Sequence, residues 1–179
     1  MTRLTFLRHA LGAALLPALP ASARALVFAP PSTAPAGQPP TVTPLRKPLG
    51  EWRRLLAPAQ YAVLFEEETE RPGSSPLDGE KRAGTYVCAA CALPLFASAA
   101  KYDSGTGWPS FTGPIAARLG TKRDFRLILP RTEYHCVRCG GHQGHVFNDG
   151  PAPAGKRYCN NGVALCFVPA GEPLPALRS

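Results

Sequence analysis

Charge is scarce in this sequence, at 18% Asp, Glu, Lys and Arg, and aromatics are scarcer still, at 8%. Little charge beside 45% hydrophobic residues excludes a wholly disordered chain. Gly and Pro number 17 and 21 among 179 residues, about a fifth of the chain, so long uninterrupted helices are not expected. The apolar stretch from Ala10 to Leu19 is too short to cross a bilayer, which takes about 20 residues, and Pro17 interrupts it. No internal repeat stands out beyond paired cysteine motifs. What remains is the length of one domain with an appendage, six cysteines, and a net charge of +8. Such a charge points to nucleic acid only if it is gathered on the folded part.

Part of it is not. Residues 1–25 read as an export signal: Arg3 and Arg8 form a basic start, Ala10 to Leu19 an apolar centre, and Ala21-Ser22-Ala23 or Ala23-Arg24-Ala25 a small-residue cleavage site. Leu4 stands where a twin-arginine motif would place its second Arg, so general secretion is favoured over twin-arginine export. The segment holds Arg3, Arg8 and Arg24 and no acid, so its removal leaves +5. Residues 26–48 follow as a Pro-rich linker, with seven prolines between Pro30 and Pro48. The folded domain is expected over 49–170, with 171–179 as a tail.

Within that domain, Trp52, Leu55, Leu56 and the run Tyr61 to Phe65 predict one or two short helices, the second starting at Pro58. Beyond Gly84 the pattern turns to strands: Thr85-Tyr86-Val87-Cys88, Phe125-Arg126-Leu127-Ile128-Leu129, Glu133-Tyr134-His135-Cys136 and Val163 to Val168. The expected fold is mainly β and antiparallel, with short N-terminal helices.

Cys88-Ala89-Ala90-Cys91 and Cys136-Val137-Arg138-Cys139 are two C-x-x-C pairs with 44 residues between them. Each can form a knuckle presenting two thiolates, and two knuckles complete a tetrahedral Cys₄ site suited to structural Zn²⁺, one per chain. Three other uses compete. Exported proteins often spend cysteines on disulfides, a C-x-x-C pair can be a redox dithiol, and Cys136, Cys139, His142 and His145 could form a Cys₂His₂ site. The Cys₄ arrangement is favoured.

Cys159 lies in Arg157-Tyr158-Cys159-Asn160-Asn161-Gly162. In an extended segment Arg157, Cys159 and Asn161 share a face, where a guanidinium favours the nucleophilic thiolate and Asn161 can donate to a substrate oxygen. His142 and His145, in Gly-rich sequence read as loop, offer imidazoles that exchange protons near neutral pH. Trp108, between Gly107 and Pro109, can wall off a methyl group or favour a sulfur becoming cationic. An inert buried Cys159 and a Trp that merely plugs the core are the plainer alternatives.

These pieces, with Thr69-Glu70-Arg71-Pro72, Gly84 to Cys91, Tyr102 to Phe111 and Cys139 to Gly150, occur in one order over roughly residues 50–168. Together they resemble the methionine-R-sulfoxide reductases of the B class. The resemblance implies a zinc-stabilised fold of two antiparallel sheets. It also implies attack by Cys159 on the sulfoxide sulfur, protonation of the oxygen by His145 with His142 in support, and positioning of that oxygen by Asn161. Trp108, Phe147 and Arg157 would bind the substrate, methionine-R-sulfoxide in oxidised proteins. A thioredoxin-like or small thiol would be the reductant, and the expected compartment is the periplasm.

The chain departs from this pattern at two places. Many relatives carry a recycling cysteine where this chain has Thr106, so the usual disulfide to Cys159 cannot form there. Cys166, an odd step from Cys159, would face away from it in one continuous strand and is expected to be buried and structural. Gly162 stands where many relatives have Ser. Two other functions are weighed: a zinc ribbon binding nucleic acid, which the export signal and loop-borne aromatics disfavour, and a disulfide-stapled binding domain without catalysis.

Overall fold

A computed structural model describes residues 41–127 and 129–179. The predicted signal and most of the predicted linker lie outside them. Two short helices open the fold, α1 (Leu49–Leu55) and α2 (Pro58–Glu66). Proline at the first position of α2 costs nothing there, because that N–H has no partner inside a helix. The Ala57 backbone N–H is held by Gln60 Oε1 at 3.2 Å. Glu67 ends α2 in the left-handed region, at φ 57°. Trp52 and Phe65 stack at 5.2 Å and seat the helices on the core. Packing reaches back into the proline-rich stretch, where Val42 and Leu45 lie against that core.

Among the described residues nine strands follow: β1 (Gly84–Cys88), β2 (Pro94–Ala97), β3 (Lys101–Tyr102), β4 (Ser110–Phe111), β5 (Leu119–Asp124), β6 (Arg131–Cys136), β7 (His142–Phe147), β8 (Arg157–Asn160) and β9 (Leu165–Pro169). They form two antiparallel sheets, β2-β1-β9 and β3-β4-β8-β7-β6-β5. The predicted mainly β architecture is therefore observed. Tyr86, Leu95, Phe96, Phe111 and Tyr134 fill the core, with Phe96 stacked on Phe111 at 4.1 Å. Burying each such side chain is worth roughly 1.5–3 kcal/mol. Among the described residues no helix is long and apolar enough to cross a membrane.

Three expectations are corrected. Phe125, Leu127 and Leu129 are not strand core: they sit exposed in the connection between β5 and β6. The histidine segment, read as loop, is strand β7. Its glycine is a packing requirement, since a Cβ on Gly144 would fall 1.9 Å from the Cys159 carbonyl oxygen across the sheet. Cys166 is exposed, not buried. A 3₁₀ turn at Gly162–Ala164 carries the chain out of the larger sheet after β8, and Cys166 lies on β9 of the smaller one.

Candidate active site

Cross-strand register builds the site. Residues directly opposite in neighbouring strands project from the same face. Cys159 of β8 faces Ser110 of β4 on one side and His145 of β7 on the other. His145 in turn faces Glu133 of β6, and Glu133 faces Lys122 of β5. One row of polar side chains thus crosses the sheet, with Cys159 and His145 at its centre. Two residues along the strands, Phe147 pairs with Arg157 and Arg131 with Asp124, on the same face.

A cavity of about 250 Å³ opens over this double row, lined by Trp108, His145, Phe147, Arg157, Cys159 and Asn161, together with Thr69, Thr106, Arg131, Gly144 and Asn160. Sequence reasoning named the first six; the structure brings them together. His142 does not line the cavity. It is buried behind His145, with ring centroids 5.4 Å apart, and its Nδ1 pairs with Glu133 Oε1 at 2.8 Å.

Each cavity residue is braced. The Arg157 guanidinium lies 4.4 Å over the Phe147 ring and meets Asp149 through two bonds of 2.9 and 2.7 Å. Trp108 donates its indole N–H to the Glu70 carbonyl at 3.1 Å. Its loop is pinned by Gly107, at φ 84°, where a Cβ would meet Gly73 N at 2.8 Å. Asn161 donates to the Gln143 carbonyl at 3.1 Å and accepts from the Glu70 N–H, also at 3.1 Å. The Glu70 carboxylate accepts the N–H groups of Gly162 and Val163. Glu70 therefore ties the Trp108 loop to the turn after Cys159. Beside the thiol, Thr106, Ser104 and Ser110 form a hydroxyl chain with two contacts of 2.8 Å, ending where Ser110 donates to the Trp108 carbonyl.

These surroundings set the acidities. Burial pushes the Cys159 thiol up, opposed by the Arg157 charge and by hydrogen bonds from Thr106, Arg157 and Ser110. Burial likewise lowers His145, against a bond from its Nε2 to Asp124 Oδ2 at 2.7 Å that raises it. Asp124 is held well below the usual carboxylate range, by the Arg126 backbone N–H first and by His145 and Arg131 as well. For Glu133 burial would act upward, but His135, His142 and Lys122 bring it down to about 2. Asp124 and Glu133 escaped sequence reasoning. Only the strand register of β5, β6 and β7 places them beside the histidines.

Away from the cavity, the Sγ atoms of Cys88, Cys91, Cys136 and Cys139 all lie within 4.8 Å of one another. Cys88–Cys139 and Cys91–Cys136 are each 3.6 Å apart, too far for disulfides of about 2.05 Å. They are close to the roughly 3.8 Å edge of a tetrahedron with 2.3 Å Zn–S bonds. Both knuckles share one geometry. The residue after the second cysteine, Ala92 or Gly140, is left-handed, and its N–H returns to the carbonyl of the first. Gln143 donates to Cys88 Sγ at 3.5 Å, as suits a thiolate. The four thiols fit a structural zinc. The histidines of the competing Cys₂His₂ arrangement are engaged by Glu133 and Asp124 instead.

Comparison with known proteins agrees with this geometry. The SelR domain model matches residues 56–169. A protein of Bradyrhizobium diazoefficiens named peptide methionine sulfoxide reductase MsrB is 54% identical over 120 residues, 66% of this chain and 86% of that one. Its namesake in Pseudomonas putida is 53% identical over 125 residues, 69% and 93% of the two chains. A third, from Methanosarcina barkeri, is 52% identical over 118 residues, 65% and 83% of the two chains.

Proposed function

Because the chain belongs to the SelR-domain family of methionine sulfoxide reductases, we propose that it reduces methionine-R-sulfoxide in oxidised proteins to methionine, with Cys159 as nucleophile. The observation that carries this reading is the single cavity in which Cys159 lies directly opposite His145 beneath Trp108. A sulfoxide oxygen leaves sulfur only once protonated, so nucleophile and acid must meet at one S–O bond. Cys159 thiolate attacks the sulfoxide sulfur and His145 delivers a proton to its oxygen. With Nε2 held by Asp124, Nδ1 is the ring nitrogen left for that transfer. The hydroxyl passes to the cysteine sulfur, leaving methionine and a Cys159 sulfenic acid. Trp108 holds the methyl group and favours the sulfonium character of the sulfur through its ring face. Asn161 has one amide N–H left to direct at the oxygen, while Phe147 and Arg157 close the remaining walls. His142 supports His145 from behind.

No thiol stands at position 106, and Cys166 lies on the other sheet. An external thiol, thioredoxin-like or small, is therefore the reductant. It attacks the sulfenic sulfur, releases water, and leaves a mixed disulfide that a second thiol resolves. The four-cysteine cluster holds zinc, and the domain is exported to the periplasm by the segment 1–25. Incubating the protein with each epimer of a methionine sulfoxide peptide and dithiothreitol tests the chemistry. Turnover of the R epimer alone, lost in Cys159→Ser, is expected; equal rates on both epimers would refute it. Mass spectrometry after a single turnover without reductant is expected to find Cys159 sulfenic acid, and a Cys159–Cys166 disulfide would overturn the external-thiol step.

A further inference from the structure

The stretch Thr69-Glu70-Arg71-Pro72 gives the cavity one lining residue, Thr69. Glu70 does not line it, yet four groups of the site end on this residue. Its carbonyl accepts the Trp108 indole N–H at 3.1 Å, and its own N–H bonds Asn161 Oδ1 at 3.1 Å. Its two carboxylate oxygens are divided between successive backbone donors, Oε1 for the Gly162 N–H and Oε2 for the Val163 N–H, the latter at 3.0 Å. The first two bonds use only the backbone of position 70, whichever side chain stands there. The carboxylate bonds are particular to an acid that reaches this far.

Their effect shows in how Asn161 is used. Asn161 is the N-cap of the 3₁₀ turn Gly162–Ala164, and its side chain makes no capping bond. Asparagine is a preferred N-cap because its side-chain oxygen takes the free N–H groups that open a helical turn. Here the Glu70 carboxylate takes two of them, and the Ala164 N–H bonds the Asn161 carbonyl at 3.1 Å. The Asn161 side chain is thereby released from the turn. Its Oδ1 meets the Glu70 N–H and one amide N–H meets the Gln143 carbonyl at 3.1 Å, which leaves the second N–H for the cavity that Asn161 lines.

We propose that Glu70 is a positioning residue for the sulfoxide oxygen: by capping the turn after Cys159 it keeps the Asn161 amide free to face the substrate. The proposal rests on the reading of the cavity as the sulfoxide site. Without the carboxylate, the Gly162 and Val163 N–H groups lose their acceptor, and Asn161 stands at the position from which an asparagine supplies one. Rotation into that role takes its amide away from the cavity. Glu70 thus acts through Asn161 and not on the reacting atoms.

A double-mutant cycle on the full chain, in the Cys166→Ser background, tests this. Glu70→Gln is close in size but offers one acceptor oxygen in place of two. It is expected to lower kcat/KM for an R-sulfoxide peptide about tenfold, the weight of one hydrogen bond to a charged group. Asn161→Ala should lower it as well, and adding Glu70→Gln to Asn161→Ala should cost less than about twofold more, because the group that Glu70 positions is already gone. Alkylation of Cys159 by iodoacetamide should stay within about twofold of the parent in all three variants, since the nucleophile is not displaced. Glu70→Asp, which keeps a carboxylate on a shorter arm, must lose less than Glu70→Gln with the same coupling to Asn161. Equal losses from Glu70→Gln with and without the Asn161 amide would overturn the proposal, because Glu70 would then act on the fold or on Trp108 alone. Full activity in Glu70→Gln would overturn it too, as would alkylation slowed in proportion to the lost turnover. If the parent turns over no R sulfoxide, the reading of the cavity itself fails and the role of Glu70 falls with it, whereas an active parent with additive losses sinks the positioning role alone.

Discussion

At the scale of single residues, the proposed chemistry depends on two groups whose surroundings oppose their working forms. Burial disfavours both the Cys159 thiolate and the His145 imidazolium. With the acid below and the nucleophile above their usual ranges, kcat/KM should form a broad plateau, falling below the imidazole pKa and above the thiol pKa. Asp124 raises the imidazole, so Asp124→Asn should move the acid limb to lower pH. It should also lower the plateau by about tenfold for each unit lost, because less imidazolium coexists with thiolate. Arg157 lowers the thiol, so Arg157→Met should shift thiol ionisation to higher pH. The pH dependence of iodoacetamide alkylation reads this directly, measured on Cys166→Ser so that the exposed second thiol does not react. An unchanged alkylation profile would mean that the guanidinium serves only Asp149 and Phe147. A further prediction concerns Gly162. A Cβ there would lie 2.4 Å from the Ser75 Cβ, so Ser75 fills the space that a side chain at position 162 would need. Gly162→Ser alone should cost about 1–3 kcal/mol through overpacking, and adding Ser75→Gly should recover most of it in thermal unfolding.

At the scale of elements, legibility divided by the source of the signal. The helices were readable because Pro58 and the apolar spacing of 61–65 are local. The knuckles were readable because C-x-x-C is local too. Strand β7 was not, because glycine in sequence signals a loop, whereas Gly144 answers to the backbone of β8, 1.9 Å from where its Cβ would lie. Phe125 to Leu129 carry strand-forming side chains, yet the strand is the polar Leu119–Asp124, which owes its place to pairing with β6. For Cys166 the parity argument does not apply, because a 3₁₀ turn changes sheets between it and Cys159; what the structure overturns is its expected burial. Cavity residues were legible as types, but their convergence depends on register across β4, β8, β7 and β6, which a linear reading does not contain. That register also makes Glu133 a structural joint between His142 and Lys122. Its folded pKa, about 2, lies below its unfolded value, so its stabilisation is fully present above the unfolded carboxylate range and is lost as pH falls through about 2. Glu133→Gln should cost about 1–3 kcal/mol near neutral pH. The difference from the parent should shrink on acidification, as followed by denaturant melts from pH 7 to pH 3. A gap constant with pH would assign Glu133 a packing role without charge.

At the scale of the molecule, the four cysteines connect what the strand pairing leaves separate. Cys88 closes β1 of the smaller sheet and Cys91 follows in its turn, whereas Cys136 closes β6 of the larger sheet and Cys139 follows in the next. The cluster sits where the sheets meet, and Gln143 of β7 donates to Cys88. Since β7 also carries His145, a metal there bears on the cavity through one strand. This division recasts the cysteine content: four thiols cluster where a metal ion could be held, Cys159 lines the cavity as the proposed nucleophile, and the exposed Cys166 stands apart. It also gives metal removal a specific signature. Structural zinc sites in small domains contribute on the order of 10 kcal/mol to folding, so stripping the ion with a chelator under denaturing conditions should prevent refolding. Refolding with one equivalent of Zn²⁺ should restore both the melting transition and R-sulfoxide turnover. Cys136→Ser should lose metal and fold together, whereas Cys159→Ser should keep one zinc per chain and the parental melting temperature while losing all turnover. Atomic absorption on the two variants separates the roles: metal lost from Cys159→Ser, or retained in full by Cys136→Ser, would break the assignment of the thiols.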